Sequence, residues 1–279
     1  MAITNFIPTV WGENLYKQLS QKYVAVSNCS RNWEGDIKQC GDRVKISGLN
    51  SVSIFNYNKN ADMPAPATLS DDVRELVIDQ AKAFNFQIDD VDLAQSTPDL
   101  MDIAVRQAAD ALANEADRYI YNLCLASSNT FAVTHPEAGD TIDAIIRGML
   151  ILQTNNAKDD IVFEVSPQIA SYIYKDKLNI ANDNGKALEN GYLGSVAGCK
   201  IFVSNNIRIE EELDGSITHY CLMRTKRAVT FADQLSEIEA YRPERRFADA
   251  VKGLHLYGAK IIYPDEFLTI KFQTPDYLC

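Results

Sequence analysis

A single helical pattern occupies the stretch STPDLMDIAVRQAADALANEADRYIYNLCLAS in the first half of the chain. Thr97 is a suitable N-cap and Pro98 suits the first helical position, so we predict a helix from Pro98 to about Ala126. Apolar side chains recur at helical spacing at Met101, Ala104, Val105, Ala108, Leu112, Ala116, Tyr119 and Leu123. At about 1.5 Å per residue this helix is roughly 40 Å long, well above the usual length in globular proteins. Its alanines let a sheet or a neighbouring chain pack closely against it.

The segment RELVIDQAKAFNFQID, residues 74–89, alternates between apolar and polar side chains and predicts one long strand. Its apolar face comprises Leu76, Ile78, Phe84, Phe86 and Ile88. The predicted partner strand is SVSIFNY, residues 51–57, and the connection between the two contains Pro64 and Pro66, which cannot donate to a ladder. These features predict a long hairpin with a broad tip. Because a hairpin alone is marginally stable in water, it should pack against another part of the protein.

The remaining segments predict a mixed α+β chain. Residues 1–40 are irregular and predict an extended arm that carries one short helix near ENLYKQLSQKY. From Thr141 helices and strands alternate. We expect helices at residues 141–155 and 167–176, and strands at residues 161–166, 199–206 and 219–224. The segments AVKGLHLYGAKIIY and EFLTIKF, residues 250–263 and 266–272, predict paired strands.

A glycine-rich stretch, GYLGSVAGCKIFVSNNI at residues 191–207, raises the question of a phosphate-binding loop. A P-loop needs G-x-x-x-x-G-K-[ST], but Gly194 and Gly198 are one residue too close together and Ile201 stands where the hydroxyl is needed. A dinucleotide-binding fingerprint should follow a strand and open a helix, whereas this stretch runs into the apolar segment KIFVS. The sequence therefore predicts a glycine-rich turn that precedes a strand.

Composition places the chain among ordinary globular proteins. Its 279 residues are 46% hydrophobic and 23% charged, which is enough for a real buried core. The net charge of −11 argues against a protein that grips nucleic acid through clustered basic residues. The six cysteines are scattered without zinc-ligand spacing, so we expect reduced, buried thiols. Neither a signal peptide nor a membrane span is predicted.

The side chains that could carry catalysis are few. His135, His219 and His255 are isolated, and Ser195 does not fit a nucleophile elbow. Asp89 and Asp90 fall on opposite faces of the predicted strand, outside any glycine-centred calcium loop. The segment RPERR could bind phosphate, but its glutamate neighbours make salt bridges between chains at least as good an interpretation. We therefore predict no catalytic, metal-binding or cofactor-binding residues.

The order of these elements resembles that of the major capsid proteins of tailed bacteriophages, which have the Hong Kong 97-like fold. The resemblance covers nearly the whole chain. It rests on MAITNFIPTVW, LVIDQAKAFNFQIDDVD, the helix from Met101, GSVAGCKIFVSNN and RFADAVKGLHLYGAKIIYPDEF. It implies an α+β fold with five regions. These are an N-terminal arm (1–40), an extended β-hairpin loop (41–90), a peripheral domain with a long spine helix (91–140), an axial α/β domain (141–232) and return strands of the peripheral domain (233–279).

The resemblance also implies a function. The chain would be a structural protein of the virion, not an enzyme. It would be made in the bacterial host cytoplasm and self-assemble through pentamers and hexamers into an icosahedral shell around double-stranded DNA. It would hold that DNA without sequence-specific binding. Because the sequence begins almost directly with the arm, a separate scaffolding protein is expected, together with a portal.

Two alternatives remain at this point: an encapsulin-type bacterial compartment shell and, more distantly, an enzyme acting on a small substrate. Side chains in the arm, at the loop tip and in the RPERR segment are the predicted subunit contacts. They are Trp11, Trp33, Lys59, Met63, Pro64, Pro66, Arg242, Arg245 and Arg246. Lys59 is also a candidate for covalent crosslinking, by its position alone.

Overall fold

The structure, a computed structural model, describes most of the chain. The described residues are 15, 17–32, 43–49, 56–57, 59, 62, 71–89, 100–136, 139–157, 160–175, 192–213, 215–245 and 247–275. The helices of this part are α1 (Leu100–Asn122), α2 (Asp140–Thr154) and α3 (Pro167–Lys175), with a short N-terminal helix at residues 17–22. Short 3₁₀ turns span Val26–Asn28, Leu123–Ala126 and Pro264–Glu266.

The strands form three sheets in the described residues. In chain order they are β1 (Arg43–Leu49), β2 (Asp71–Val77), β3 (Gln80–Asp89), β4 (Asn129–Thr134), β5 (Ile161–Val165), β6 (Tyr192–Val196), β7 (Cys199–Val203), β8 (Ile209–Glu211), β9 (Ser216–Thr225), β10 (Val229–Tyr241), β11 (Ala248–Ile261) and β12 (Phe267–Pro275). Strands β1 and β2 pair as a hairpin, and β10, β11 and β3 form an antiparallel sheet in that order. The seven-stranded sheet has the order β4-β12-β9-β5-β7-β6, with β8 paired to β9.

The long helix is confirmed. α1 ends at Asn122 and the chain continues as a 3₁₀ turn to Ala126, while Thr97 and Pro98 lie outside the described residues. Its buried face consists of Val105, Ala109, Leu112, Ala113, Ala116 and Ile120. This face is rotated slightly from the predicted one, since Ala108 and Tyr119 are only partly buried. The alanines at its centre allow the close packing that their size predicted.

Residues 74–89 form two strands, so the prediction of one continuous strand was wrong. The alternation of buried and exposed side chains persists, but the hydrogen-bond partners change at Ile78 and Asp79. Before this point β2 pairs with β1, and after it β3 pairs with β11. Alternation reports only which face is buried, so it could not show that the strand passes from one sheet to another.

The predicted hairpin exists with a different partner strand. β2 pairs with Arg43–Leu49 and not with the predicted partner, residues 51–57. Within that predicted partner, residues 56–57 lie outside any strand, and the other residues lie outside the described part of the chain. The register joins Leu49 to Asp71, so residues 50–70 connect the two strands. The base of the hairpin packs against β10 and β11. This agrees with the expectation that a hairpin, which is only marginally stable in isolation, packs against another part of the protein. The contacting residues are Val44, Ile46, Leu76, Ile78, Ala232, Leu256 and Ile262.

The α/β region follows the sequence closely. α2 and α3 lie against the seven-stranded sheet, and β5, β7 and β9 occupy the predicted segments. The glycine-rich stretch is a two-residue hairpin turn between β6 and β7, in which Ala197 and Gly198 have φ of 51° and 87°. Two consecutive positive φ values are the signature of a type I′ turn. The predicted turn is therefore confirmed.

The two C-terminal strands are confirmed as strands but not as partners of each other. β11 lies between β10 and β3 in the three-stranded sheet. β12 lies between β4 and β9 in the seven-stranded sheet, with β4 parallel and β9 antiparallel to it. The predicted return region therefore contributes to both sheets. The boundaries of the five regions stay predictions.

Residues 17–32 contain the predicted short helix but do not form an extended arm. Leu19, Tyr23, Val26 and Cys29 are buried against α1 and the three-stranded sheet. The backbone of Ser30 also bonds to β10: its N–H donates to Val229 and its carbonyl accepts from Phe231. This segment, called the N-terminal segment below, is part of the subunit's own core.

Two smaller predictions are tested by the described residues. The cysteines among them, Cys29, Cys124, Cys199 and Cys221, are buried free thiols, as predicted. Among the described helices, none is long and apolar enough to cross a membrane.

Candidate functional site

The N-terminal segment is held first by Asp117 on α1. Its carboxylate accepts hydrogen bonds from the N–H groups of Val24, Ala25 and Val26, at 3.0, 3.0 and 3.1 Å. These N–H groups open the 3₁₀ turn and lack partners within it, so the buried carboxylate takes the place of a capping side chain. Burial raises the pKa of Asp117 to about 7, although the three N–H donors act in the opposite direction.

A buried ion pair holds the same segment from the opposite side. Arg224 on β9 binds Glu164 on β5 through two hydrogen bonds of 3.0 and 3.1 Å, and both side chains are fully buried. The guanidinium also donates to the carbonyls of Asn28 and Ala25 at 2.7 and 2.9 Å. The amide of Asn28 donates to Glu164 at 3.0 Å. The bidentate ion pair and these additional hydrogen bonds give partners to the charged groups of Arg224 and Glu164, which would otherwise be costly to bury.

A third contact joins the N-terminal segment to β10 and β11. The hydroxyl of Tyr23 donates to Asp233 at 2.9 Å, and Nε2 of His255 lies 3.2 Å from the same carboxylate. Arg31 donates to the other carboxylate oxygen at 2.7 Å. Burial alone would raise the pKa of Asp233, but the hydrogen bond from His255 and the charge of Arg31 lower it below its usual value. We call these three contacts together the polar junction.

The polar junction contains side chains that enzymes use, but its geometry favours a structural role. Tyr23, Asp233 and His255 lie within hydrogen-bond reach of one another, as in a site with a nucleophile, a base and an orienting group. All three are buried, and burial together with the nearby Asp233 carboxylate raises the pKa of Tyr23. A substrate would need access that this packing does not provide. What the arrangement does is fix the N-terminal segment in one position.

Sequence reasoning missed the polar junction. A signal for part of it does exist, because Glu164 and Arg224 are single charges within the apolar strands IVFEV and YCLMRT. Arg224 is opposite Val162, two residues from Glu164, so the pair lies diagonally on one face of adjacent strands. Opposite single charges in two apolar strands would have predicted such a pair. Neither Asp117 nor Asp233 stands out in this way.

The predicted subunit contacts are only partly within the described residues. Lys59 is exposed in the connection between β1 and β2. Arg242 and Arg245 lie together at the tip of the β10–β11 hairpin and are exposed, and Arg242 pairs with Asp249 of its own chain at 3.0 Å. The other predicted contacts lie outside the described residues: Trp11, Trp33, Met63, Pro64, Pro66 and Arg246. Their part in contacts between subunits stays a prediction.

Large apolar side chains that water reaches mark further candidate contact surfaces. Ile146 and Leu150 are exposed on one face of α2, and Tyr174 is exposed on the neighbouring α3. Phe247 is exposed at the tip of the β10–β11 hairpin, and Leu213 is fully exposed at the tip of the β8–β9 hairpin. Exposed aromatic and aliphatic side chains at protruding tips are typical of surfaces that another chain covers. Among the described residues, no cluster of side chains fits a metal ion.

Comparison with known protein families identifies the family of this chain. The profile of the phage capsid protein family matches residues 74–270, well over half of the sequence. The chain belongs to the phage capsid protein family. No curated protein matches the sequence.

Solved structures share the fold of this chain. A structure from Mycobacterium phage Che8 is 25% identical, with a TM-score of 0.69 over 89% of this chain and 90% of that chain. The capsid structure of cyanophage P-SCSP1u is 16% identical, with a TM-score of 0.66 over 91% and 89%. A virus-like particle from Pyrococcus furiosus is 11% identical, with a TM-score of 0.57 over 95% and 99%.

The capsid protein therefore has the predicted α+β, Hong Kong 97-like fold. Its function is that of a major capsid protein, which forms an icosahedral viral shell. The compartment-shell alternative is not favoured, because the family match and the 25% identical structure both point to phage capsids.

Proposed function

We propose that this capsid protein assembles through pentamers and hexamers into a shell around double-stranded DNA, with the help of a separate scaffolding protein and a portal. The observation that carries the proposal is the match to the Che8 phage structure over about nine tenths of both chains. The likeness therefore extends over most of the chain rather than over one region of it. Assembly then follows from large interfaces repeated by symmetry.

The net charge of −11 supports weak, non-specific contact with the packaged DNA. Tight phosphate binding needs many basic contacts, each of which adds to the salt dependence of affinity. A subunit that is acidic on balance should instead hold the DNA weakly, so that the DNA can move as it is packed. We also propose that the protein has no catalytic role and is made in the host cytoplasm. The burial of Tyr23, Asp233 and His255 supports the first of these, because they are the potentially reactive side chains of the polar junction.

The proposal is tested by expressing the protein alone and together with its candidate scaffolding protein, followed by sizing and negative-stain electron microscopy. We expect rings of five and six subunits or closed shells, with regular shells promoted by the scaffold. A monomer or dimer under both conditions would contradict the proposal. Regular closed shells from the protein alone would contradict only the need for a separate scaffold.

A further inference from the structure

A cavity of about 530 Å³ lies between the N-terminal segment and the turn that follows β9. Its wall carries three basic side chains: Arg31, Lys226 and Arg227. Ser30 and Asn32 add polar groups, and Asp160 is the one acidic residue among those that line it, ion-paired with Lys200 at 2.5 Å. A concave surface with this composition fits a negatively charged group that protrudes from its own surroundings.

Buried carboxylates fix the two arginines of this cavity. Arg227 binds Glu266 through two hydrogen bonds, one of them from Nε at 2.8 Å, and its guanidinium lies 5.4 Å from the ring centre of Tyr263. Arg31 is held by Asp233. Lys226 is exposed on the turn between β9 and β10, and its side chain is the one of the three that can most easily change its conformation. Positions fixed in advance reduce the entropy lost on binding.

The same chain carries an acidic protrusion that matches this cavity. The β8–β9 hairpin places Glu211, Glu212 and Leu213 at its tip, all of them exposed. The turn is closed by bonds from the N–H of Glu212 to the carbonyl of Ser216, at 2.8 Å, and from the N–H of Gly215 to the carbonyl of Glu212, at 3.0 Å. The tip therefore presents two carboxylates beside one apolar side chain on a compact turn, and one of them, that of Glu212, also accepts a hydrogen bond from the Thr218 hydroxyl at 3.2 Å.

The tip and the cavity lie at opposite ends of β9. The tip precedes Ser216, and Lys226 directly follows Thr225. At about 3.3 Å per residue, this strand separates them by roughly 30 Å. One subunit cannot place its own tip in its own cavity, so the two surfaces can meet only between copies. A contact between two different surfaces of the same chain is head-to-tail, the kind that closes into rings.

We infer that the β8–β9 tip of one subunit enters the cavity beside Lys226 and Arg227 of the next subunit in a ring. This inference rests on the proposed function, since it names a contact within the proposed pentamers and hexamers. Glu211 and Glu212 meet the basic wall, and each subunit gives its tip to one neighbour and its cavity to the other. A concave cavity also suits a hairpin tip better than the convex cylinder of a DNA duplex.

Charge reversal tests the contact in the full-length protein. Asp233 and Glu266 already balance the charges of Arg31 and Arg227, and Lys200 balances Asp160, so K226E changes the net charge of the cavity from positive to negative. E211K/E212K and K226E therefore each place like charges together, and we expect each to reduce assembled rings and shells by about tenfold or more. The triple variant E211K/E212K/K226E should restore assembly, because the charges are again opposite. Lys17→Glu, at an exposed position on the short N-terminal helix, is the matched control and should assemble normally. Thermal unfolding of each unassembled variant separates assembly defects from misfolding.

Mixing the two reversed proteins gives a sharper result. A subunit with a basic tip and a basic cavity can alternate with a subunit whose tip and cavity are acidic. Strict alternation is possible only in a ring with an even number of subunits. The mixture should therefore form rings of six but neither rings of five nor closed shells.

The possible outcomes separate this inference from the proposed function. Normal assembly of both reversed variants beside a normal wild type would overturn the inference and leave the function intact. A wild type that forms neither rings nor shells would overturn both. Normal assembly of E211K/E212K, with less DNA packaged in K226E shells, would instead assign the cavity to DNA phosphates and also overturn the inference.

Discussion

The subunit contains two cores that are built on different principles. Beneath α2 and α3, the seven-stranded sheet buries an almost purely apolar cluster that includes Ile145, Phe163, Ile169 and Ile270. Beneath the N-terminal segment, an apolar cluster of similar size is crossed by the polar junction, which joins residues 23–31 to side chains far along the chain. The first core is held mainly by apolar burial, with a few neutral hydrogen bonds such as that between Thr274 and His219, whereas the second adds directional bonds between buried charges.

This difference shows what each core specifies. Apolar burial is non-directional, so it favours collapse without fixing one arrangement. Each bond of the polar junction needs one partner in one position, and an unpaired buried charge is costly. The N-terminal segment buries Leu19, Tyr23 and Val26, but apolar burial by itself does not fix one position for it. We therefore interpret the polar junction as the device that gives this segment a single docked position in the subunit.

The largest effect should come from breaking the buried ion pair. Arg224→Met leaves the Glu164 carboxylate buried without its cation and removes the donors to Asn28 and Ala25. We expect the free energy of unfolding to fall by about 3–5 kcal/mol, as for other buried pairs that lose one partner. Urea unfolding of the unassembled subunit measures this change.

A double variant shows whether charge or packing is responsible. Glu164→Leu combined with Arg224→Met removes both charges, and we expect it to be more stable than Arg224→Met alone. The carbonyls of Asn28 and Ala25 still lose their donor, so recovery should be incomplete. A double variant that is no more stable than Arg224→Met would show that packing dominates over the unpaired charge.

A smaller effect should distinguish the two cores by pH. The pKa of Asp117 is raised to about 7 in the folded protein, so the folded state binds this proton more tightly than the unfolded state. Its contribution to the free energy of unfolding is therefore present at about pH 4 and lost as the pH rises through about 7. Asp117→Asn should remove this decline. Three N–H donors still hold the charged form, which is why the effect is smaller than that of losing the ion pair.

The seven-stranded sheet should respond to pH in the opposite direction through His219. Burial lowers the pKa of His219 to about 4, so the folded state keeps the ring neutral. The free energy of unfolding should fall as the pH drops from about 6.5, the usual value for histidine, to about 4. His219→Leu should remove this acid loss. Urea titrations from pH 4 to pH 7.5 check both variants, and unchanged pH profiles would contradict the assignments.

The apolar core is also the part that the sequence predicted best. Helices α2 and α3 and strands β5, β7 and β9 follow from helical spacing and continuous apolar runs, because burial and periodicity are local properties of a segment. The turn at Ala197 and Gly198 was predicted for the same reason. Partner choice is not local. The strand that changes sheets at Ile78 and the separation of β11 from β12 could not be read from either segment by itself.

The polar junction was beyond sequence reasoning for a related reason. Asp117 lies in a helix rich in acidic residues, and only the position of the N-terminal segment distinguishes it from Asp110 or Glu115. Asp233 and His255 become partners because β10 and β11 pair in a register that places Leu235 opposite His255. Such contacts depend on three or more elements at once. The acidic run at residues 210–212 could be recognised in the sequence. That it lies at one end of β9 and a basic cavity at the other end could not.

The smallest effect compares two glycines, one at the apolar core and one where the β1–β2 hairpin joins β11. A Cβ atom on Gly258 would lie 2.2 Å from the backbone carbonyl oxygen of Val77, whereas one on Gly148 would lie 2.8 Å from the sulfur of Met223. A backbone carbonyl in a paired strand cannot move aside, but a methionine side chain can adopt another rotamer. We expect Gly258→Ala to cost about 1–3 kcal/mol. Gly148→Ala should cost less than about 1 kcal/mol, because alanine also favours the helix.

Hydrogen exchange of the β2 and α2 amides, with urea unfolding, measures both substitutions. Gly258→Ala should speed exchange in β2, since the clash lies at its last residue and at the point where the chain passes between sheets. Equal losses of the free energy of unfolding at the two positions would mean that the backbone at Val77 and Ile78 moves aside as readily as a methionine side chain. The β1–β2 hairpin would then be hinged at Ile78 rather than held by β11, and the two-sheet path of residues 74–89 would be a point of flexibility in the subunit.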